Sequence, residues 1–157
     1  MLDLIKKTDK RLVPCGRLDM YTSGALILTD DGDFVYQITH PKHQIEKTYT
    51  VTLIGMVTKQ EVEQLKSGVD IGGFVTSPAR VRILRIEHDT GKKYPTTRLE
   101  ITIHEGKNKQ VRKMCEAIGK KVIALHRSKI GEITVKDLKI GTWRYLKQDE
   151  IKKLCKK

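Results

Sequence analysis

Gly16-Arg17-Leu18-Asp19-Met20-Tyr21-Thr22-Ser23-Gly24-Ala25-Leu26-Ile27-Leu28-Thr29-Asp30-Asp31-Gly32-Asp33 is the stretch on which the reading of this chain turns. A glycine opens it, and Arg17 and Asp19 stand two residues apart. A Thr-Ser-Gly turn follows, then an apolar run that ends in an Asp-Gly turn. In extended backbone alternate side chains share a face, so Arg17 and Asp19 point the same way. A neighbouring guanidinium favours the ionised carboxylate, and a positioned, ionised Asp is a nucleophile or a base. An Arg–Asp pair that only fixes a loop is the competing reading of the same two residues.

Working outward, residues 25–29 read as a buried strand, and Asp31 as the cap of a helix over 34–39 that Pro41 ends. Residues 46–54 (EKTYTVTLI) alternate as a strand with Tyr49, Val51 and Leu53 on one face. Thr58 and Glu61 fit a capping box that opens a helix closed at Gly68. Around Gly72-Gly73 the chain reads as short strands about a turn. Residues 78–88 and 97–104 alternate and pair as a hairpin across a turn at 89–93, with Ala79, Val81 and Ile83 inward and Arg80 and Arg82 outward. Asn108 is placed to cap a helix over 109–118 that Gly119 stops. Short strands at 122–125, 133–135 and 141–146 and a helix opened by Asp149 complete the chain. Trp143 and Cys115 read as core. Strands in hairpins with a few helices give an α+β fold with a mixed, mostly antiparallel sheet.

The 157 residues suffice for one domain with a proper core. The net charge of +12 is uneven: residues 1–106 hold 15 Lys and Arg against 14 Asp and Glu, whereas residues 107–157 hold 16 against 5. Such a lopsided excess suits a polyanion-facing surface. Three scattered cysteines imply no disulfide framework and fit a reducing, cytoplasmic setting. No apolar run nears the ~18–20 residues of a membrane span. The five histidines lack zinc-finger or HExxH spacing, so no metal site is expected. GxxxxGK[ST] and GxGxxG are both missing, which argues against a nucleotide cofactor.

A second chemical segment is Glu105-Gly106-Lys107-Asn108-Lys109-Gln110-Val111-Arg112-Lys113-Met114. A helix N-terminus presents free N–H groups and a positive dipole end. Lys107, Lys109, Arg112 and Lys113 add a field that attracts phosphates. Asn108 and Gln110 sit among them as polar partners for the same polyanion.

Together the two segments resemble pseudouridine synthases of the RsuA type, from Val13 to about Leu146. GRLDMYTSGALILTDDGD is similar to that family's GRLD motif with its Thr/Asp/Ser-rich turn, Leu-rich strand and Thr-Asn-Asp-Gly, with Ala25 for a usual Leu and Asp30 for a usual Asn. The basic segment is similar to Glu-Gly-Arg-Asn-Arg-Gln-Val-Arg-Arg-Met, with Lys in place of Arg at three positions. The resemblance implies isomerisation of a uridine in ribosomal RNA to pseudouridine, without metal or organic cofactor, by a monomer. It makes Asp19 the catalytic residue, with Arg17 and Arg112 in support, Arg112 pairing with Asp19. The Lys47-Thr48-Tyr49 element matches a Lys-x-Tyr whose tyrosine lies against the base, and Lys47 joins the RNA-binding set. Leu125 matches an apolar pocket residue. His40-Pro41-Lys42 and the segment 102–106 look most like the large-subunit (23S) branch. Family members usually carry an earlier Lys-Pro-x-Gly strand and often an S4 domain. Neither is among these residues, so the expected domain, 1–157, is a catalytic domain incomplete at its N-terminal side. A basic piece that binds RNA without modifying it is the alternative expectation.

Overall fold

The computed structural model describes residues 11–88, 91 and 93–155. The segment before Arg11 and most of the turn expected at 89–93 lie outside them. The fold is α+β, built on a six-stranded sheet. Its strands are β2 (Thr22–Gly24), β4 (Lys47–Ile54), β5 (Arg80–Glu87), β6 (Thr96–Ile103), β7 (Val122–Ile130) and β8 (Ile133–Thr134). The order is β2-β7-β4-β6-β5, with β8 on β7. Every pairing is antiparallel except β2 with β7, which is parallel. A separate two-stranded ladder joins β1 (Val13–Pro14) to β3 (Leu28–Thr29).

Two cores hold this arrangement. The larger one packs Val51, Leu53, Leu99 and Ile101 of the sheet against Leu65 of α2 (Lys59–Ser67) and against Met114 and Cys115 of α3 (Gln110–Ala117). The smaller packs Cys15, Ala25 and Ile27 against Ile38 of α1 (Gly32–Thr39), Ile130, Ile133 and Leu154 of α4 (Gln148–Cys155). Local signals explain the helix ends. Asp31 Oδ1 accepts from the Asp33 and Phe34 amides to start α1. Thr58 and Glu61 form the expected capping box of α2.

The apolar run 25–29 is not one strand. After β2, Ala25 donates to the Arg127 carbonyl at 2.8 Å, whereas the Ile27 carbonyl turns to accept from Cys15 at 2.7 Å. The run thus crosses from the large sheet to the small ladder, and Gly24 makes the crossing possible. At φ +124° it lies so near β7 that an added Cβ would stand 2.2 Å from the Arg127 carbonyl oxygen.

Three further expectations are corrected. Ile83 is exposed, because β5 is an edge strand whose register shifts between Ile83 and Arg85. Residues 141–146 form no strand, and Trp143 is 43% exposed against Tyr145 rather than core. Arg144 there makes a two-pronged ion pair with Glu150 at the start of α4. That bond, with the Lys147 amide, pulls the Glu150 carboxyl down to about 2. Cys115 is fully buried, as expected, and burial pushes its thiol up to about 12.

Candidate active site

A cleft of about 290 Å³ opens where the two cores meet. Cys15, Ile38 and Ile130 line it from the smaller core; Ile103, Val111 and Leu125 line it from the larger. Polar and charged residues converge on this apolar floor: Arg17 and Asp19 from the loop after β1, Thr22 from β2, Lys47 and Tyr49 from β4, Lys107, Asn108, Lys109 and Gln110 ahead of and opening α3, and Arg127 from β7. Two motifs almost ninety residues apart in sequence therefore meet at one cavity. Of the residues singled out in the sequence, Arg112 and Lys113 are not among those lining it.

Asp19 is half-buried and begins a tight turn, in which the Thr22 amide donates to the Asp19 carbonyl at 3.0 Å. Among the described residues no ion pair involves the Arg17 or the Asp19 side chain, so the expected contact between the two is not formed. The expected Arg112–Asp19 pair is corrected as well. Arg112 Nη2 donates instead to the Tyr21 carbonyl at 2.9 Å. The first turn of α3 sets this guanidinium against the turn that precedes β2. Arg112 therefore grips the turn that carries Asp19 rather than the carboxylate itself.

Arg127 is the residue that sequence reasoning missed. It is only 6% exposed, and its Nε and Nη2 both donate to the Ala25 carbonyl, at 2.9 and 2.7 Å. Its Nη1 reaches the Arg17 carbonyl at 3.5 Å. One guanidinium thus ties the loop holding Asp19 to the central sheet. Arg127 stands in the polar run His126-Arg127-Ser128-Lys129, and the available signal was its place two residues after Leu125, on the same face of β7, where a charge requires partners.

The basic segment is shaped from within. Gln110, expected to face RNA, is 3% exposed; its amide donates to Glu105 at 3.0 Å and accepts from the Lys107 amide at 3.1 Å. Glu105 also accepts from the amide and hydroxyl of Ser77. Asn108 does not cap α3. Lys109 holds the N-cap position at φ +52° with no side-chain cap bond. The amides opening α3 are therefore not covered by a side chain at that position. Lys107 lies over the Phe74 ring, 4.5 Å from its centroid.

On the opposite wall Tyr49 stands between Ile101 of β6 and Arg127 of β7, its ring packed partly on the larger core and partly open to the cleft. Leu125, 6% exposed, lines the same cleft and is paired across with Val51 and Thr22. Lys47 is half-buried, and its Nζ reaches the His104 carbonyl at 3.5 Å. Burial first, and the Arg127 charge second, hold its ammonium below the usual lysine range. Among the described residues no group of three or more His, Cys, Asp or Glu could hold a metal ion, and no helix is long and apolar enough to cross a membrane.

The sequence profile of RNA pseudouridylate synthases matches residues 3–117. A ribosomal large subunit pseudouridine synthase B of Bacillus subtilis is 40% identical over 152 residues, covering 97% of this chain and 61% of that protein. A ribosomal small subunit pseudouridine synthase A of Vibrio cholerae is 40% identical over 144 residues, covering 90% of this chain and 58% of that one. A solved pseudouridylate synthase superposes with a TM-score of 0.79 at 40% identity, over 91% of this chain and 59% of that one. The chain thus spans about three fifths of the length of these relatives.

Proposed function

This chain belongs to the RNA pseudouridylate synthase family, and we propose that it isomerises a uridine of ribosomal RNA to pseudouridine, with Asp19 as the reacting carboxylate. The observation that carries this reading is the half-buried Asp19 at a cleft that also presents Tyr49, Leu125 and a set of cations. At about 290 Å³ the cleft lies at the small end of ligand pockets, suited to one nucleoside rather than to a helix. A uridine in a stacked RNA must leave the stack to enter it.

Once the base is inside, the Tyr49 ring gives it a face and Leu125 an apolar floor. The N1–C1′ glycosidic bond breaks, the base turns, and C5 bonds to C1′. The C5 proton then leaves and N1 is left carrying one. Asp19 serves either as a nucleophile or as a base that takes a proton from the sugar. Lys107 and Lys109, beside the uncapped start of α3, hold the flanking phosphates. Lys47, partly desolvated, donates to a nearer oxygen of the nucleotide.

The named relatives act on both ribosomal subunits, as their names state. We take 23S as the substrate here, on the His40-Pro41-Lys42 and 102–106 elements. The test is to incubate unmodified 23S and 16S RNA with the chain and map pseudouridine in each. A single new site in 23S is expected. A site only in 16S would overturn the 23S choice, and none in either would leave an RNA-binding piece.

A further inference from the structure

The end of α1 carries a cluster of rings that takes no part in lining the cleft. Tyr36 and His40 lie one helical turn apart, with ring centroids 4.7 Å from each other. His43, in the 3-10 turn Pro41–His43 that follows, sets its ring 5.9 Å from Tyr36 and 6.2 Å from His40, edge-on to both. Lys42 places its ammonium 5.3 Å from the centre of the Tyr36 ring. His40 Nδ1 accepts from the Lys42 amide at 3.1 Å, which fixes the backbone that carries this cation. Among the described residues the Lys42 ammonium enters no ion pair, and Tyr36 remains 48% exposed. Residues three and four apart share a helix face, so Tyr36, Thr39 and His40 stand on one side of α1. Thr39 lines the cleft, and a Cβ on Gly16, where the Asp19 loop begins, would stand 4.0 Å from its methyl. The rings therefore stand at the rim of the cleft on the smaller-core side. Lys107 and Lys109 approach it with α3, which packs on the larger core.

We propose that Tyr36 and Lys42, held by His40, form a subsite for the nucleotide next to the uridine in the cleft. The neighbouring base stacks on Tyr36 and Lys42 meets its phosphate. The inference rests on the isomerase reading above and deepens it by naming where the strand runs. A strand with one nucleotide in the cleft must leave it in two directions. The basic start of α3 receives one direction, and the ring cluster receives the other. Every base has a π-face, so an exposed ring takes it whatever its identity, and the ammonium beside the ring supplies the charge that a phosphate needs. Rings already packed on one another lose little freedom when a base joins them. A cation without an ion pair against the exposed ring selects a nucleotide over an apolar peptide, because charged groups are depleted at the core of protein interfaces.

The experiment measures binding of the full chain to a short single-stranded RNA with one central uridine among adenosines. Two further strands lack the base immediately 5′ or immediately 3′ of that uridine. The native chain loses about tenfold in affinity on one of these strands and less than about twofold on the other, since one flank stacks and the other is held by its phosphate. Tyr36→Leu brings all the strands within about twofold of one another, and Tyr36→Phe behaves as the native chain does. Lys42→Gln keeps the one-sided loss but flattens the salt dependence by about one phosphate's worth. Equal affinity of the native chain for every strand overturns the subsite, as does a Tyr36→Leu variant that keeps the one-sided loss. If Tyr36→Leu lowers the thermal midpoint by several degrees, Lys42→Gln decides: an unchanged salt slope there overturns the proposal, and a flatter one upholds it. Binding needs no turnover, so a one-sided loss in a chain that isomerises nothing would leave the subsite standing and sink the isomerase reading instead.

Discussion

Tyr49 and Asp19 face one cleft from walls that are held by different physics. Tyr49 sits on β4, bonded along its length to β6 on one side and β7 on the other, above side chains as buried as Val51, Leu53 and Leu99. Asp19 sits on a loop with short strands, bounded by the two-residue β1 and the three-residue β2. Guanidinium groups hold that loop: Arg127 on the Ala25 and Arg17 carbonyls, and Arg112 on the Tyr21 carbonyl. The first wall derives its position from burial and the second from a few directed polar bonds. Damage to the first wall should therefore lower stability more than turnover, and damage to the second should do the reverse.

Leu99→Ala should give the largest loss of stability, ~2–5 kcal/mol for a cavity in the larger core. Its turnover in the folded protein should stay within about threefold of native, and chemical denaturation with single-turnover kinetics checks both. A large fall in turnover there would break the contrast. Arg127→Met should cost ~2–3 kcal/mol, because the buried Ala25 carbonyl loses two charged donors. It should also lower kcat by more than tenfold through misplacement of Asp19. Arg112→Met removes a more exposed bond and should cost ~1 kcal/mol or less, yet lower kcat roughly tenfold. That split between stability and turnover is the sharpest form of the comparison.

Lys47→Met carries the smallest effect and the opposite sign. The Lys47 ammonium is held low by burial and by Arg127, so the unfolded chain binds this proton more tightly than the folded one. Stability then rises with pH between the folded value and the usual lysine value near 10.5, and the charged form works against the fold below that window. Replacing it by Met should raise the thermal midpoint slightly and remove that rise. It should also flatten the salt dependence of RNA binding by about one phosphate's worth.

Much of the first wall was legible in the sequence. The alternation of 46–54 and 97–104 gave β4 and β6, and the Thr58–Glu61 box gave the start of α2, because each rests on a local period or cap. The two motifs also pointed to a shared site, and Asp19, Tyr49, Leu125 and Lys107 do meet at one cleft. The second wall was poorly legible. The run 25–29 looked like one strand because its crossing between ladders is set by the close approach of Gly24 to β7, a contact between distant segments. Arg112 was expected on Asp19 and lies on the Tyr21 carbonyl, since a bond from a side chain to a distant backbone group is invisible to composition. Gln110 was expected to face outward and instead closes a network with Glu105 and Ser77. Trp143 read as core on its residue type, but nothing in the sequence showed that its segment forms no strand.

The measurement that bears most directly on the account is tritium release from ribosomal RNA labelled at uracil C5, with the native chain and Asp19→Asn, in the presence of EDTA. The account predicts release by the native chain and none by Asp19→Asn, with RNA affinity and thermal midpoint little changed in the variant. Release that survives in Asp19→Asn would contradict the placement of the reacting carboxylate at the heart of this cleft.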